Sequence, residues 1–580
     1  MTMQYTPTNH HDDPNPYGTA SDPAFAPECA EQPTAVHRRS FLARMGAVGA
    51  LAVMGNVALP EVAAARTPAR TSAVPKVSVR RAVRDDLSEA TLAEAITLIQ
   101  AGRLKPSLLV RAYLDRIGAF DDTLQAFNLV AAKDAMAAAV ASRPGSGILA
   151  GIPLAIKDNY YTAGYKTTAN SFIFQDFVPP FDATAVARLK QAGGIVLGKT
   201  QMGPLATTRA TTPSGVITTV NAWSPANPSV DPGGSSSGSA CAVASRMAAS
   251  SVGTQTGGSI TAPSNQQNLT GLKPTMGRVS LYGIIPLTYT RDHPGPLART
   301  AMDAAIMLSV MAGEDPHDPR TQGLPAPADY VRAATPVTKG GKVSCRYPTR
   351  VGYLPDFLAV TGETLALRKT FLEKLDAIPG ISVVAVPFPD EWDVLAGSAM
   401  NDVRLPERSE PFLPTMRKDL RLFGVSVTSW LAGALMGADE YVRGQRAKEL
   451  FLDRVLSEVF GPCDVVLQTD PSYFDRVGLP ELALPIGFTA ANLPVGTILG
   501  GQPFAEDRLL AVAAAYQEVT DWHLRRPTDP ADDNPPPAIP LTDRGSAKAY
   551  SRTAAGLTTP PVARAHRGRM SAHQVHQETE

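Results

Sequence analysis

Glycine and serine are concentrated between residues 231 and 264, in two turns that flank an apolar segment. Because glycine adopts backbone angles closed to other residues, amide N–H groups in such turns can converge on one point beside serine hydroxyls. A site of this kind stabilises developing negative charge. The glycines concerned are Gly233, Gly234, Gly238, Gly257 and Gly258.

Two other interpretations of this stretch are less well supported. A flexible Gly/Ser linker would not alternate with runs of Ala, Val and Met that look buried. A dinucleotide-binding fingerprint requires G-x-G-x-x-G spacing, which these glycines do not have. Residues 240–249 instead favour a helix and residues 252–254 a strand, and this order brings both turns to one end of a core.

A lysine follows a short apolar segment upstream of the turns. Residues 152–156 read Ile-Pro-Leu-Ala-Ile and favour a buried strand, and Lys157 comes directly after them. A lysine at the end of a buried strand is costly, because burial disfavours its charged form. The alternative is a surface lysine in a turn, which the apolar residues before it disfavour.

Together these segments resemble the amidase signature family, whose members hydrolyse amide bonds with a Ser-Ser-Lys triad. The similarity also includes residues 151–159, 271–280, 295–299, 478–480 and 493–504. It therefore covers most of the chain, from about residue 85 to about residue 525. The family likeness implies a single α/β/α sandwich around a large mixed β-sheet, which the interleaving of predicted strands and helices also favours.

The resemblance implies a role for each member of the triad. Ser259 corresponds to the nucleophile, Ser235 to the bridging serine and Lys157 to the base, and the spacing of the two serines agrees with that of the family. A lysine acts as a base only when neutral, so the pKa of Lys157 must fall from about 10.4 towards about 7. Ser235 then relays the proton of Ser259 to Lys157 and returns one to the departing amine. The family fold further implies a cis bond between Gly234 and Ser235.

The oxyanion of the tetrahedral intermediate has its own predicted binding site. Its donors are backbone N–H groups, which stabilise negative charge that forms in the transition state. The resemblance assigns this role to Thr256, Gly257, Gly258 and Ser259. No metal and no cofactor is expected.

Three positions depart from the family pattern. The family commonly has Asp where Gln255 stands and Arg where Thr261 stands, and Ser237 occupies a usual Gly position. Loss of both members of an ion pair leaves no unpaired buried charge, so the first two changes can compensate each other. They leave the triad intact and bear on the shape of the acyl pocket.

The resemblance thus implies a hydrolase that cleaves a carboxylic amide through an acyl-enzyme on Ser259, releasing a carboxylate and ammonia or an amine. The expected class is small linear amides with C–N bonds other than peptide bonds, but the residues do not select among linear aliphatic, aryl, peptide C-terminal and cyclic amides. One alternative is a catalytically weak binding protein on an amidase scaffold, which would be free to lose Lys157 or Ser259. Another is the amidotransferase subunit that shares this core and works on charged transfer RNA. The absence of basic stretches and the export signal described next disfavour it.

The N-terminal segment carries the features of a twin-arginine export signal. Arg38 and Arg39 precede an uncharged apolar stretch, residues 45–60, and small residues lead to Ala65. We expect cleavage after Ala65, export from the cytoplasm, and the twin-arginine machinery as partner of the precursor. A retained membrane anchor is the alternative, although the apolar stretch is shorter than the roughly 20 residues of a bilayer span.

Composition gives the remaining limits. The 580 residues are 44% hydrophobic and 19% charged, with 54 basic and 54 acidic residues, so no net field favours nucleic acid. The predicted organisation is a disordered region with signal (1–65), a linker (66–84), an amidase domain (85–526) and a disordered tail (527–580). Residues 193–200 match the phosphate-loop pattern by letter, but their apolar middle favours a strand.

Cysteine usage favours neither a disulfide framework nor a structural zinc. Cleavage after Ala65 leaves Cys241, Cys345 and Cys463, an odd number without a Cys-x-x-Cys pair or a Cys/His cluster. Cys241 lies in an Ala-rich run next to the serine turn. It is predicted to be a small buried residue rather than a nucleophile.

Overall fold

The computed structural model describes residues 76–397 and 403–531. The predicted export signal, its cleavage position and all but the first five residues of the predicted tail lie outside the described residues. Residues 76–84, predicted as linker, include the start of the helix Ala82–Asp85, and Arg80 pairs with Glu94 at 2.8 Å.

The strands hold the predicted catalytic residues in place, and those near Lys157 and Ser259 are almost entirely buried. In chain order they are β1 (Phe127–Val130), β2 (Pro153–Lys157), β3 (Ile195–Thr200), β4 (Ser250–Gln255), β5 (Thr270–Lys273), β6 (His293–Ala298), β7 (Val337–Lys339), β8 (Lys342–Ser344), β9 (Thr349–Tyr353), β10 (Ile381–Ala385), β11 (Val465–Gln468), β12 (Glu481–Phe488) and β13 (Pro494–Gly501).

Eleven of these strands form one mixed sheet in the order β1-β3-β2-β4-β6-β5-β12-β13-β11-β9-β10, and β7 and β8 form a separate hairpin. Strand β2, the third from one edge of the sheet, is parallel to β3 and to β4, whereas β4, β6, β5, β12 and β13 are successively antiparallel. Every residue of β2, β4 and β6 is buried. Strands buried on both sides need helices on both faces, so the predicted α/β fold around a large mixed sheet is confirmed.

The α-helices are interspersed with the strands along the chain, and five of the described helices follow one another between β10 and β11. They are α1 (Ala82–Asp85), α2 (Leu92–Gln100), α3 (Pro106–Leu124), α4 (Ala132–Ala141), α5 (Thr184–Gln191), α6 (Ser237–Ala244), α7 (Thr261–Gln266), α8 (Ala301–Met311), α9 (Tyr330–Ala333), α10 (Gly362–Asp376), α11 (Trp392–Leu395), α12 (Arg404–Ser409), α13 (Leu413–Lys418), α14 (Val427–Leu435), α15 (Ala438–Arg454), α16 (Ser472–Val477) and α17 (Glu506–Glu518).

Local sequence signals explain several helix ends. Thr91 and Glu94 form a capping box at the start of α2, and Pro106 begins α3 at a position where its missing N–H costs nothing. A threonine directly before the apolar residues 301–311 predicts a helix start, and the Thr300 side chain accepts a hydrogen bond from the Asp303 amide and caps α8. The sequence of residues 438–460 predicts one long amphipathic helix, but this segment is α-helical only to Arg454 and continues as a π-helical turn.

No single helix in the described part of the chain is long and apolar enough to cross a bilayer. One pair of helical segments, Leu420–Leu435 and Ala438–Val459, is long and apolar enough when taken together, but the pair bends by 93° at the break between them.

Candidate active site

Two parallel strands bring the predicted base and the predicted nucleophile together. Leu154 of β2 pairs with Ser250 of β4, so the carboxyl ends of both strands lie at the same edge of the sheet. Lys157 is the last residue of β2. The nucleophile turn, which we define as residues 256–261, begins where β4 ends. The short helix α6 carries the chain from the first serine turn back towards β4. A helix is predicted here over residues 240–249, but it begins three residues earlier and ends at Ala244.

Lys157 is fully buried among oxygen atoms of neutral groups. Its Nζ lies 2.8 Å from Ser235 Oγ and 2.9 Å from Ser236 Oγ. It also lies 2.9 Å from Thr254 Oγ1 and 3.2 Å from the Thr254 carbonyl oxygen. Burial lowers the pKa of Lys157 well below its ordinary value of 10.5, and the charge of Asp292 opposes this only in part. The shift favours the neutral amine, which is the form that can accept a proton.

Ser235 is fixed by close backbone packing around the two glycines before it. The bond from Gly234 to Ser235 is cis, which confirms the expectation. A Cβ on Gly234 would lie 2.6 Å from Arg209 Cα, and one on Gly233 would lie 2.4 Å from Pro263 Cα. Only glycine fits at these positions, which explains the Gly-Gly pair in the sequence.

Ser259 lies in the nucleophile turn and is 6% exposed. Within the described residues, its hydroxyl makes no hydrogen bond, so the contact between Ser259 and Ser235 that the proton relay requires is not formed in this structure. The inner half of the relay, from Ser235 to Lys157, is formed. Catalytic hydrogen bonds often tighten only when substrate is bound.

The predicted oxyanion donors divide into two groups. The Gly258 amide donates to Asp475 Oδ2 at 2.7 Å, and this contact removes it from the predicted set of free donors. No acceptor within the described residues engages the Gly257 or Ser259 amide. A Cβ on Gly257 would meet no atom within 4 Å, so open space adjoins this part of the turn. The Thr256 hydroxyl donates to Asp292.

Two of the three departures from the family pattern, Gln255 and Thr261, contact each other. Gln255 Oε1 accepts hydrogen bonds from the Ile260 and Thr261 amides, each at 2.8 Å, and from the Thr261 hydroxyl at 3.2 Å. Gln255 Nε2 donates to two carboxylates, those of Asp475 and Glu481. A neutral side chain at position 255 therefore both accepts from the turn and donates to acids.

Sequence reasoning missed the charged residues behind the nucleophile turn. Asp475 and Glu481 flank the matched segment 478–480, and Lys273 lies within the matched segment 271–280, but their types alone do not indicate a shared location. Lys273 Nζ lies 3.3 Å from Asp475 Oδ1 and 3.5 Å from Glu481 Oε2. The signal that the sequence offers for these three residues is their position within or beside segments that resemble the family.

Other predicted features are placed away from the chemistry. The segment 193–200, which matches the phosphate-loop pattern, contains β3 and is therefore a strand, as predicted. Cys241, Cys345 and Cys463 are buried and free, and burial raises the pKa of each thiol. Across residues 76–397 and 403–531, no group of three or more His, Cys, Asp or Glu side chains is arranged to hold a metal ion.

Comparison with known proteins gives a consistent result. The family model described as Amidase matches residues 108–404. A Glutamyl-tRNA(Gln) amidotransferase subunit of Roseiflexus castenholzii is 35% identical over 76% of this chain and 98% of its own. The corresponding subunit of Moorella thermoacetica is 32% identical, covering 75% and 98%.

Solved structures agree with these sequence relatives. The native peptide amidase of Stenotrophomonas maltophilia superposes with a TM-score of 0.66 at 29% identity, covering 77% of this chain and 99% of that one. An amidase family protein from Bacillus anthracis superposes with a TM-score of 0.63 at 26% identity, covering 76% and 92%.

Proposed function

This chain belongs to the amidase family, and from that premise we propose that it hydrolyses linear carboxylic amides with Ser259 as nucleophile. The observation that carries the proposal is the buried amine of Lys157, 2.8 Å from Ser235 Oγ and with its pKa lowered by burial. It supplies a neutral base at the end of a strand beside the nucleophile turn. We propose free ammonia or an amine and a carboxylate as products.

The reaction follows from the positions of these groups. Ser235 gives its proton to Lys157 and takes that of Ser259, whose oxygen attacks the amide carbonyl. The Gly257 and Ser259 amides stabilise the oxyanion. As the tetrahedral intermediate collapses, the proton returns from Lys157 through Ser235 to the leaving nitrogen. Water then cleaves the acyl-enzyme with the same groups as base and acid.

The two candidate functions differ in the class of substrate that each requires. The neighbouring solved structure is named a peptide amidase, which supports simple amides as substrates. The sequence relatives are named as subunits of a Glutamyl-tRNA(Gln) amidotransferase, which supports transfer of nitrogen to a charged transfer RNA. We favour hydrolysis, because the balanced charge of this chain provides no general attraction for nucleic acid.

We also propose that the Arg38-Arg39 segment directs export, with cleavage after Ala65.

One assay tests the two candidate functions. The purified protein is incubated, with and without charged transfer RNA, with a panel of linear amides that includes amides of amino acids and of short peptides, and released ammonia or amine and nitrogen transfer to the RNA are measured. We expect release from at least one amide without transfer RNA, and loss of it in Ser259→Ala. Nitrogen transfer only in the presence of charged transfer RNA would establish the amidotransferase instead, and no release with either would contradict both.

A further inference from the structure

A cluster of four buried side chains lies behind the nucleophile turn, outside the triad. We name it the turn cluster; its members are Gln255, Lys273, Asp475 and Glu481, and each is fully buried. They come from β4, β5, α16 and β12, so the cluster exists only in the folded chain. Glu481 pairs with Lys273 across neighbouring antiparallel strands.

The turn cluster holds the nucleophile turn on both sides of Ser259. On one side, Asp475 Oδ2 accepts the Gly258 amide at 2.7 Å. On the other side, Gln255 Oε1 accepts the amides of Ile260 and Thr261, each at 2.8 Å. The amides of Gly257 and Ser259 have no acceptor in the described residues. The cluster therefore selects which N–H groups of the turn are left for the substrate.

The charges within the turn cluster favour a neutral side chain, such as that of Gln255, over a carboxylate at this position. Its Nε2 lies 3.0 Å from Asp475 Oδ1 and 2.8 Å from Glu481 Oε2, while Lys273 lies within 3.5 Å of both acids. A carboxylate at position 255 would add a third acid to a buried site in which Lys273 pairs with both present acids, and in which the buried Arg291 also interacts with the charge of Asp475. Burial, together with the Asp475 charge, already raises the pKa of Glu481 well above its usual value.

We propose that Asp475 and Gln255 are positioning residues that fix the nucleophile turn, so that the Ser259 hydroxyl and the Gly257 and Ser259 amides face the substrate. The proposal rests on the proposed function of this site and adds to it residues outside the triad. Positioning acts on the transition state more than on substrate binding, since a displacement of about 1 Å costs about 100-fold in rate.

The test compares three variants by the rate of fluorophosphonate labelling of Ser259 and by kcat and KM on an amide that the wild type hydrolyses. Asp475→Ala removes the acceptor for the Gly258 amide and is expected to lower the labelling rate and kcat about 100-fold, with KM nearly unchanged. Asp475→Asn keeps one oxygen acceptor and is expected to retain more activity than Asp475→Ala. Asp303→Asn is the matched control, because Asp303 is equally buried but accepts from the Ala93 amide.

Gln255→Glu gives a readout that a merely structural role would not produce. The introduced carboxylate cannot donate to the two acids, so labelling is expected to slow at pH 8. Lowering the pH protonates it and restores a donor, so the ratio of variant to wild-type rate is expected to rise as pH falls. A ratio that is independent of pH would overturn the role of Gln255.

The outcomes separate this inference from the proposed function. Asp475→Ala with wild-type kcat and labelling rate, or with a change in KM alone, overturns the positioning role while the amidase activity stands. Failure of the wild type to react with the probe or with any amide overturns the proposed function itself. If Asp475→Ala does not fold, the test rests on Asp475→Asn and Gln255→Glu. Labelling rates and kcat values equal to those of the wild type in both variants refute the proposal.

Discussion

Replacement of Lys157 by methionine tests the base, because it keeps an apolar side chain of similar length without the amine. We expect a loss of kcat of about 10,000-fold or more, the scale seen when one member of a catalytic triad is removed. The acid limb of the wild-type pH profile should disappear. The residual rate should rise with pH, because hydroxide then removes the proton.

The same substitution has a measurable effect on stability. Burial lowers the pKa of Lys157 in the folded chain, whereas an unfolded lysine keeps a pKa near 10.5. Between these two values the unfolded chain binds one proton more, so the free energy of unfolding rises with pH in that window and levels off above it. One proton corresponds to about 1.4 kcal/mol per pH unit. Lys157→Met should therefore reduce the slope of stability against pH by up to that amount.

Urea unfolding at a series of pH values measures this slope for the wild type and the variant. The difference between the two isolates Lys157, because all other titrating groups are shared. Equal slopes would show that the amine is charged in the folded chain across the measured range. Activity of Lys157→Met equal to that of the wild type at pH 7 would remove the lysine from the mechanism.

Three further substitutions have definite expected outcomes. Ser259→Ala should abolish labelling by a fluorophosphonate, whereas Ser235→Ala should only slow it, and peptide mapping that places the probe on Ser235 would reverse the assignment. Replacing both Arg38 and Arg39 by lysine should keep the protein in the cytoplasm, as measured by cell fractionation. Gly234→Ala should lower the melting temperature strongly, because its Cβ would lie 2.6 Å from the neighbouring backbone; an unchanged melting temperature would contradict this packing.

Local patterns in the sequence predicted the elements that position the triad. The apolar run before Lys157 predicted a buried strand, and β2 has that form, with every residue buried. Thr300 predicted the start of α8 through its capping side chain. Both signals act over a few residues, where backbone and side-chain preferences decide the structure.

The turn cluster could not be predicted in this way. Asp475 contacts Gly258 across 217 positions of sequence, and it lies on α16, a six-residue helix with no periodic signal. The contact depends on the order of strands in the sheet, in which β12 lies next to β5. That order is a property of the whole chain, and the local hydrophobic pattern does not specify it.

Three buried lysines show why one of them suits the role of base. Lys199 lies 3.3 Å from Asp158 Oδ1, and Lys273 lies within 3.5 Å of two carboxylates. Lys157 is equally buried, but its contacts in the described residues are hydroxyl groups and a carbonyl oxygen. Burial lowers the pKa of Lys199 to about 8, with Asp158 opposing the shift. Because no contacting carboxylate stabilises its charged form, Lys157 loses its proton more readily than Lys199 does. The contacting groups, and not the depth of burial, therefore distinguish the base.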